Sequence, residues 1–253
     1  MKITFLGTGT SQGVPVIGCD CEVCRSLDYR DKRLRTSVHI EANGKSFVID
    51  TGPDFRQQML RENIKRLDAV IFTHGHKDHT AGLDDVRAYN FLQKMKMPVY
   101  GQKILLKQLR AEFYYAFEPQ QYPGIPLLDL IEITDQPFEI SGVTFNPLPV
   151  QHLHMPVLGF RVNDFSYITD ANFIPDETLR KLEGTKVLVL NALQKERHVS
   201  HFNLDEAIAI GLRIGAEQTY FTHISHKLGL HKPIQKILPP GIALAYDGLS
   251  VTL

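Results

Sequence analysis

Apolar and polar positions alternate along this chain in a repeating order, with short β-like runs separated by segments of helical period. Runs rich in β-branched and aromatic residues lie at about 2–6, 37–41, 46–50 and 69–73, then at 143–149, 157–169, 187–190, 219–222 and 243–252. Such composition fits a pleated, half-buried surface. Helical patterns fall between them, over Pro53 to Asn63, Leu83 to Gln93, Gln102 to Phe117, Asp176 to Leu182 and Leu204 to Ile214. The last has the clearest ends: Asn203 stands as N-cap, Glu206 completes a capping-box spacing, and Gly215 follows the final turn. Strand groups with interspersed helices in two similar halves predict helices outside and two sheets within. Residues from about 94 to 136 break the order. They are aromatic and Pro-rich around FYYAFEPQQYPGIP, and predict a helix and loop insertion serving as a lid or as a contact between copies.

With 253 residues, 43% apolar and 22% charged, the chain can bury a sizeable core, and one domain over 1–253 is expected. Lys plus Arg equals Asp plus Glu at 28 each, so the summed charge offers no footprint for nucleic acid or an acidic membrane. Lys32, Arg33 and Arg35, and the spread of Lys94, Lys96, Lys103 and Lys107, read as solvated faces. The opening apolar run breaks at Gly7, too short for a signal-peptide core, and no later stretch reaches the length of a membrane span. A soluble cytoplasmic enzyme whose mature form starts here is the expectation.

Candidate chemistry concentrates in VIFTHGHKDHTAGLDD, Val70 to Asp85, where His74, His76, Asp78 and His79 follow an apolar run. Three imidazoles and a carboxylate supply N and O donors suited to zinc, manganese or iron. Imidazoles separated by one residue reach a single ion, whereas the adjacent Asp78 and His79 diverge toward a second, so the spacing predicts two metals. Cys19, Cys21 and Cys24 in GCDCEVC are the only cysteines. An odd number so close together is a poor disulfide framework and reads as three thiolates around zinc, with a fourth ligand from a distant His. His226 and His231 compete for that place. His39 falls inside a strand pattern and reads as structural, and His198 as a solvated loop residue near substrate. The turn from Gly7 to Gly13 either brings backbone N–H groups to a phosphate or is a tight scaffold turn.

HxHxDH at His74 to His79 resembles the signature of the metallo-β-lactamase superfamily, and KITFLGTGTSQGVP and FVIDTGPDF resemble that family's opening strand and second strand-plus-turn. The resemblance implies an α+β, four-layer αββα sandwich in which Asp50 buttresses the metal loop. His152, Asp170 and His223 each end an apolar run. Taken with the resemblance, they complete two sets: His74, His76, His152 and Asp170 around one metal, and Asp78, His79, Asp170 and His223 around the other. Asp170 is the natural bridge because a carboxylate has two oxygens to share. His154 is the rival of His152. Asp50 and Asp84 or Asp85 are expected to orient ligand imidazoles. Within the superfamily, CxCxxC together with His226 is similar to the phosphoribosyl cyclic phosphate phosphodiesterase (PhnP-like) family, which implies a structural zinc on Cys19, Cys21, Cys24 and His226. His201, in RHVSHFNLDEA, resembles the non-ligand His that these enzymes place beside the leaving group.

The resemblance thus implies a metal-dependent phosphoric diester hydrolase. Two divalent ions, manganese or zinc, about 3.5–4 Å apart would activate a bridging water for attack on a small phosphodiester, a cyclic one by expectation, with Asp78 among the metal-site carboxylates and His201 as general acid. The expected partners are that small substrate and a second copy in a homodimer, with no membrane and no nucleic acid beyond mono- or oligonucleotides. The competing expectations are a tRNA 3′-processing nuclease, a thioester or lactone hydrolase, and a non-catalytic metal-binding interaction module.

Overall fold

A computed structural model describes residues 1–118 and 123–253. The chain first lays down β1 (Lys2–Gly7), β2 (Ser37–Ala42), β3 (Lys45–Ile49), β4 (Ala69–Ile71), β5 (Met97–Gly101) and β6 (Leu128–Glu132). It then builds β7 (Phe138–Ile140), β8 (Val143–His152), β9 (Met155–Val162), β10 (Phe165–Tyr167), β11 (Val187–Asn191), β12 (Gln218–Thr222) and β13 (Ile242–Leu244), and β14 (Ser250–Thr252) returns to pair with β1. Among the described residues these form two seven-stranded sheets, ordered β14-β1-β2-β3-β4-β5-β6 and β13-β12-β11-β10-β9-β8-β7. Each half opens with an antiparallel meander and continues in parallel, from β3 onward in the first and from β10 onward in the second. Parallel pairing needs crossover connections. The helices run in chain order as α1 (Glu22–Arg25), α2 (Phe55–Arg61), α3 (Lys77–Thr80), α4 (Arg87–Gln93), α5 (Lys103–Glu112), α6 (Asp176–Lys181), α7 (Leu204–Ile214) and α8 (His231–Ile237).

Three apolar layers hold this together. Between the sheets, Phe5, Ile40, Phe47 and Ile71 meet Phe145, Phe160, Tyr167 and Val189, all buried. The outer face of the first sheet buries Val48, Val70 and Val99 with Phe55, Met59, Leu105 and Leu109. The second sheet does the same with Leu148, Leu188 and Phe221 against Leu204, Ala207 and Ile234. Each such side chain contributes about 1.5–3 kcal/mol on burial, and the sum fixes the αββα order of layers. No helix among the described residues is long and apolar enough to cross a membrane.

The strongest local signals hold. Asn203 and Glu206 form the reciprocal capping box at the start of α7, and Gly215 closes it at φ 68. Three expectations change. The segment 94–136 is not wholly a helix and loop insertion: β5 pairs parallel with β4, Val70 opposite Val99, and β6 pairs with β5. Pro98 inside β5 and the mostly half-exposed β6 hid both strands. Residues 119–122 of the aromatic stretch lie outside the described residues. The run at 157–169 is a hairpin of β9 and β10, turned at Asn163 with φ 52; Asn-Asp between apolar runs is its sequence signal. The run at 243–252 divides into β13 and β14, which belong to different sheets.

Candidate active site

The candidate donors gather where strands end on one edge of the sandwich. Asp50 follows β3, His74 lies just beyond β4, His152 ends β8, Asp170 lies beyond β10, and His223 follows β12. Asp50, Asp170 and His223 all adopt left-handed backbone, with φ of 66, 53 and 56. For residues other than glycine this costs of order 1–3 kcal/mol each, and it persists because the surrounding bonds over-determine it. Asn191 brackets Ala171 with bonds of 2.8 and 2.9 Å, fixing the chain beside Asp170.

Asp170 belongs to two groups of converging donor atoms, one with Asp78, His79 and His223, the other with His152 and His201. Its Oδ2 lies 3.2 Å from His79 Nε2, and its Oδ1 lies 3.1 Å from His223 Nε2. Asp78 Oδ2 stands 3.3 Å from His79 Nε2. Donors bound about 2.0–2.2 Å from one ion stand about 2.8–3.1 Å apart at right angles and about 3.3–3.6 Å apart at tetrahedral angles, and these separations fall within that span. The rings of His74, His76 and His152 have centroids 4.7, 5.2 and 6.0 Å apart; imidazoles sharing an ion tetrahedrally would stand about 5 Å apart. Nε2 of His74, His79 and His223 is buried and lacks a hydrogen-bond partner among the described residues. Orphaned buried nitrogens are costly, and divalent cations bound among them would satisfy them. The residues therefore fit the metal ions that the motif implies.

For His79, His152 and His74, the bond made by the opposite ring nitrogen turns the Nε2 lone pair of a neutral ring toward the site. His79 Nδ1–H donates to Asp50 at 2.7 Å, and His152 Nδ1–H donates to the Ser200 carbonyl at 2.7 Å. The Thr73 hydroxyl donates to Asp50 at 2.8 Å and so accepts from His74 Nδ1–H at 2.9 Å. Each bond fixes the tautomer and aims the ring. The motif loop is pressed onto this frame through glycine: a Cβ on Gly52 would stand 2.2 Å from the Asp78 carbonyl oxygen. Gln108 of α5 also donates to the Gly75 carbonyl at 2.6 Å, tying the 94–136 segment to the motif.

Charge follows from burial and proximity. Burial disfavours charge on His79, but Asp170, Asp50 and Asp78 outweigh it and hold the ring well above the usual imidazole range. His223 is likewise lowered by burial and raised more by Asp170 and Asp78, to about 9. Burial works against the Asp170 charge, yet His223 and His79 keep its carboxyl well below the carboxylate range. The metal-free chain thus keeps protons on imidazoles as counterions to buried carboxylates, and cation binding would release them.

His201 is buried, with Nε2 3.1 Å from Asp170 Oδ1 and Nδ1 2.9 Å from the Ser200 hydroxyl. Burial pushes its pKa down to about 4 against the pull of Asp170. His198 is exposed and reaches His201, Nδ1 to Nδ1, at 3.3 Å. His154 is exposed, while His39 is buried against Ser46 at 2.7 Å. Ser200 and Asn191 carry no signal in the sequence reading. Asp84 and Asp85 are corrected: Asp84 takes the Tyr115 hydroxyl and pairs with Arg87 at 3.0 Å, and Asp85 lines a groove with Phe55 and Tyr89. Neither bonds a ligand imidazole. Within the Gly7–Gly13 turn, the Gly9, Thr10 and Gly13 amides donate to the Leu34, Ile224 and Thr10 carbonyls, as in a scaffold turn.

Apart from this centre, His226 Nδ1 lies 3.3, 3.4 and 3.6 Å from the sulfurs of Cys19, Cys21 and Cys24. Tetrahedral zinc with ordinary bond lengths places N and S about 3.5 Å apart. His231 turns instead to Arg33, 3.2 Å away. The Val16 N–H points at Cys24 Sγ and the Cys24 N–H at Cys21 Sγ, as thiolates require. The Cys24 N–H does most to bring the Cys21 thiol down to about 6, whereas burial pushes Cys24 up to about 11.

A two-sheet sandwich with this donor set defines the metallo-β-lactamase class of hydrolase. A profile described as "Beta-lactamase superfamily domain" matches residues 45–224, and the chain belongs to that superfamily, whose members bind divalent metals such as zinc. More narrowly, it superposes on a crystal structure described as a new diphosphatase from the PhnP family, with a TM-score of 0.93, 42% identity, and 99% of this chain and 96% of that one covered. An octanoyltransferase of Porphyromonas gingivalis is 40% identical over 256 residues, but all of this chain spans only 52% of that protein. Zinc-bound PqqB from Methylobacterium extorquens shares the fold at a TM-score of 0.81 and 17% identity, each chain covered in full.

Proposed function

We propose that this chain hydrolyses small phosphoric diesters with two divalent metal ions, zinc or manganese, while a separate zinc ties the cysteine loop to His226. The observation that carries the reading is the shared carboxylate: Asp170 converges with Asp78, His79 and His223 on one side and with His152 and His201 on the other, and the rings of His74 and His76 stand beside His152. His74, His76, His152 and Asp170 would hold one ion, and Asp78, His79, Asp170 and His223 the other. When bound, the pair supplies a water of lowered pKa and positive charge to offset that developing on phosphate oxygens. Asp50, Thr73 and Ser200 aim the ligand rings. His201 meets Asp170 at Oδ1, whereas His79 meets it at Oδ2, and would give its Nε2 proton to the departing oxygen. Burial keeps that ring neutral in the free enzyme, so the phosphate's negative charge must raise its proton affinity on binding.

A disubstituted diphosphate is a second reading, favoured by the relative at 42% identity that is described as a diphosphatase. It presents the same centre as a diester, a phosphorus with two bridging and two non-bridging oxygens. Manganese-loaded protein and an Asp170→Ala control should be assayed on bis(p-nitrophenyl) phosphate, a nucleoside 2′,3′-cyclic phosphate and a disubstituted diphosphate. Turnover of at least one by the wild type alone is expected. Inactivity on all three with two manganese ions bound would refute the reading and favour thioester or lactone hydrolysis.

A further inference from the structure

Outer hydrogen bonds aim three of the buried ligand imidazoles, and one ring lacks them. His74, His79 and His152 each fix Nδ1 on Thr73, Asp50 or Ser200. His223 is only 1% exposed, and its Nδ1 has no hydrogen-bond partner among the described residues. Its ring stacks on His201 and its Nε2 meets Asp170 at 3.1 Å, so with no outer bond on Nδ1 the main chain, held at φ 56, is what presents the ring to them. Ile224 donates to the Thr8 carbonyl at 2.8 Å and accepts from the Thr10 N–H at 3.1 Å, and Ser225 donates to Leu193 at 2.9 Å. Three residues past His223, His226 meets the cysteine sulfurs. The Thr8–Thr10 segment itself runs on into the cysteine loop, braced where Val14 and Arg33 exchange backbone bonds of 2.9 and 2.7 Å. A closed ring results: from Thr10 through the cysteines to His226, and back through Ser225 and Ile224 to Thr10. Its one link that is neither covalent nor a backbone hydrogen bond is the contact between the cysteines and His226.

We infer that the Cys19, Cys21, Cys24 and His226 site is the positioning element of His223: a metal ion there closes the ring and holds His223 Nε2 toward Asp78 and Asp170. The inference rests on reading His223 as a metal ligand. Outer partners of ligand histidines are typically worth 10- to 100-fold in metal affinity, and here a remote four-ligand site takes that part.

All three cysteines of the chain lie in this loop, so a mercurial thiol reagent acts nowhere else. Full-length protein loaded with one equivalent of zinc and then with manganese should be titrated with p-hydroxymercuribenzoate, following free Mn²⁺ by its electron paramagnetic resonance and secondary structure by circular dichroism. Zinc release should weaken manganese binding by about tenfold or more with the dichroism unchanged. Unaltered manganese affinity after complete zinc release overturns the inference, as does manganese loss that appears only as the dichroism collapses. Cys24→Ser should reproduce the weakening and His226→Cys, which keeps four ligands, should not; equal affinities in the two variants also overturn it. His223→Ala separates the two levels. If it leaves manganese binding intact, the reading of His223 as a ligand fails and the inference with it; if it weakens binding while the mercurial does not, only the positioning role fails.

Discussion

Asp50→Asn removes one charge from the centre and almost no volume, and its effect on metal affinity follows from counting donors. Three converge on the Asp50 carboxylate: Thr73 N–H on Oδ1 at 2.9 Å, and the Thr73 hydroxyl and His79 Nδ1–H on Oδ2 at 2.8 and 2.7 Å. An asparagine offers one acceptor oxygen. If that oxygen faces His79, the amide NH2 opposes the Thr73 N–H; if the amide is flipped, it opposes His79 and drives the ring toward the tautomer whose Nε2 carries a proton and cannot bind metal. Asparagine tolerates left-handed backbone better than most residues, so φ 66 adds little strain. A lost partner in this buried place costs about 1–3 kcal/mol of fold stability. Loss of a ligand's outer partner weakens metal binding about 10- to 100-fold, or about 1.4–2.7 kcal/mol. Competition against a chromophoric chelator reads this directly, with thermal unfolding of the metal-free protein as the control for folding. Wild-type metal affinity in a folded Asp50→Asn protein would show that Asp50 does not orient His79, and the account of the bare Nε2 atoms would be wrong.

Gly52→Ala should cost about 1–3 kcal/mol and shed metal, because its Cβ would press on the Asp78 carbonyl oxygen at 2.2 Å; wild-type chelator competition would refute the packing argument. Ser200→Ala keeps the carbonyl that orients His152 but removes the hydroxyl on His201, so metal content should hold while kcat falls about tenfold, a fraction of the roughly 10²- to 10⁴-fold that a general acid contributes. His201→Ala should lose more on an alkyl leaving group than on p-nitrophenolate, and equal losses would remove its role as acid. Burial holds His39 at about 4, below its ordinary 6.5. The folded state thus binds fewer protons than the unfolded one between those values, and stability present above pH 6.5 is lost as pH falls toward 4, by about 2 kcal/mol at pH 5. Urea unfolding of metal-free protein at pH 7 and pH 5 should show a smaller loss in His39→Gln than in the wild type; an equal loss contradicts the assignment.

What could be read from the chain in advance divides by how local its cause is. The start of α7 was legible because Asn203 and Glu206 satisfy each other's backbone within one turn, and the motif was legible because four donors sit within six residues. β5 and β6 were not, since their place is set by the pairing of Val70 with Val99 across 29 residues, and MPVYG of β5 alternates in burial without alternating in polarity. The three cysteines announce a metal, but the choice of His226 over His231 is made by Arg33, which occupies His231 from a distant loop. Ser200 marks the limit of such reading. Its part in holding His152 is played by a carbonyl oxygen that any residue would supply, so the side chain at that position leaves no trace of it, and only the convergence of β8 with the loop before α7 brings the two together. The donor atoms of this site are thus written in residue types, while their aim is shared between side chains, Asp50 and Thr73, and backbone, the Ser200 carbonyl and the turn at His223. His223, the proposed ligand whose Nδ1 no side chain holds among the described residues, is for that reason the one whose control is sought outside the site, at the cysteines.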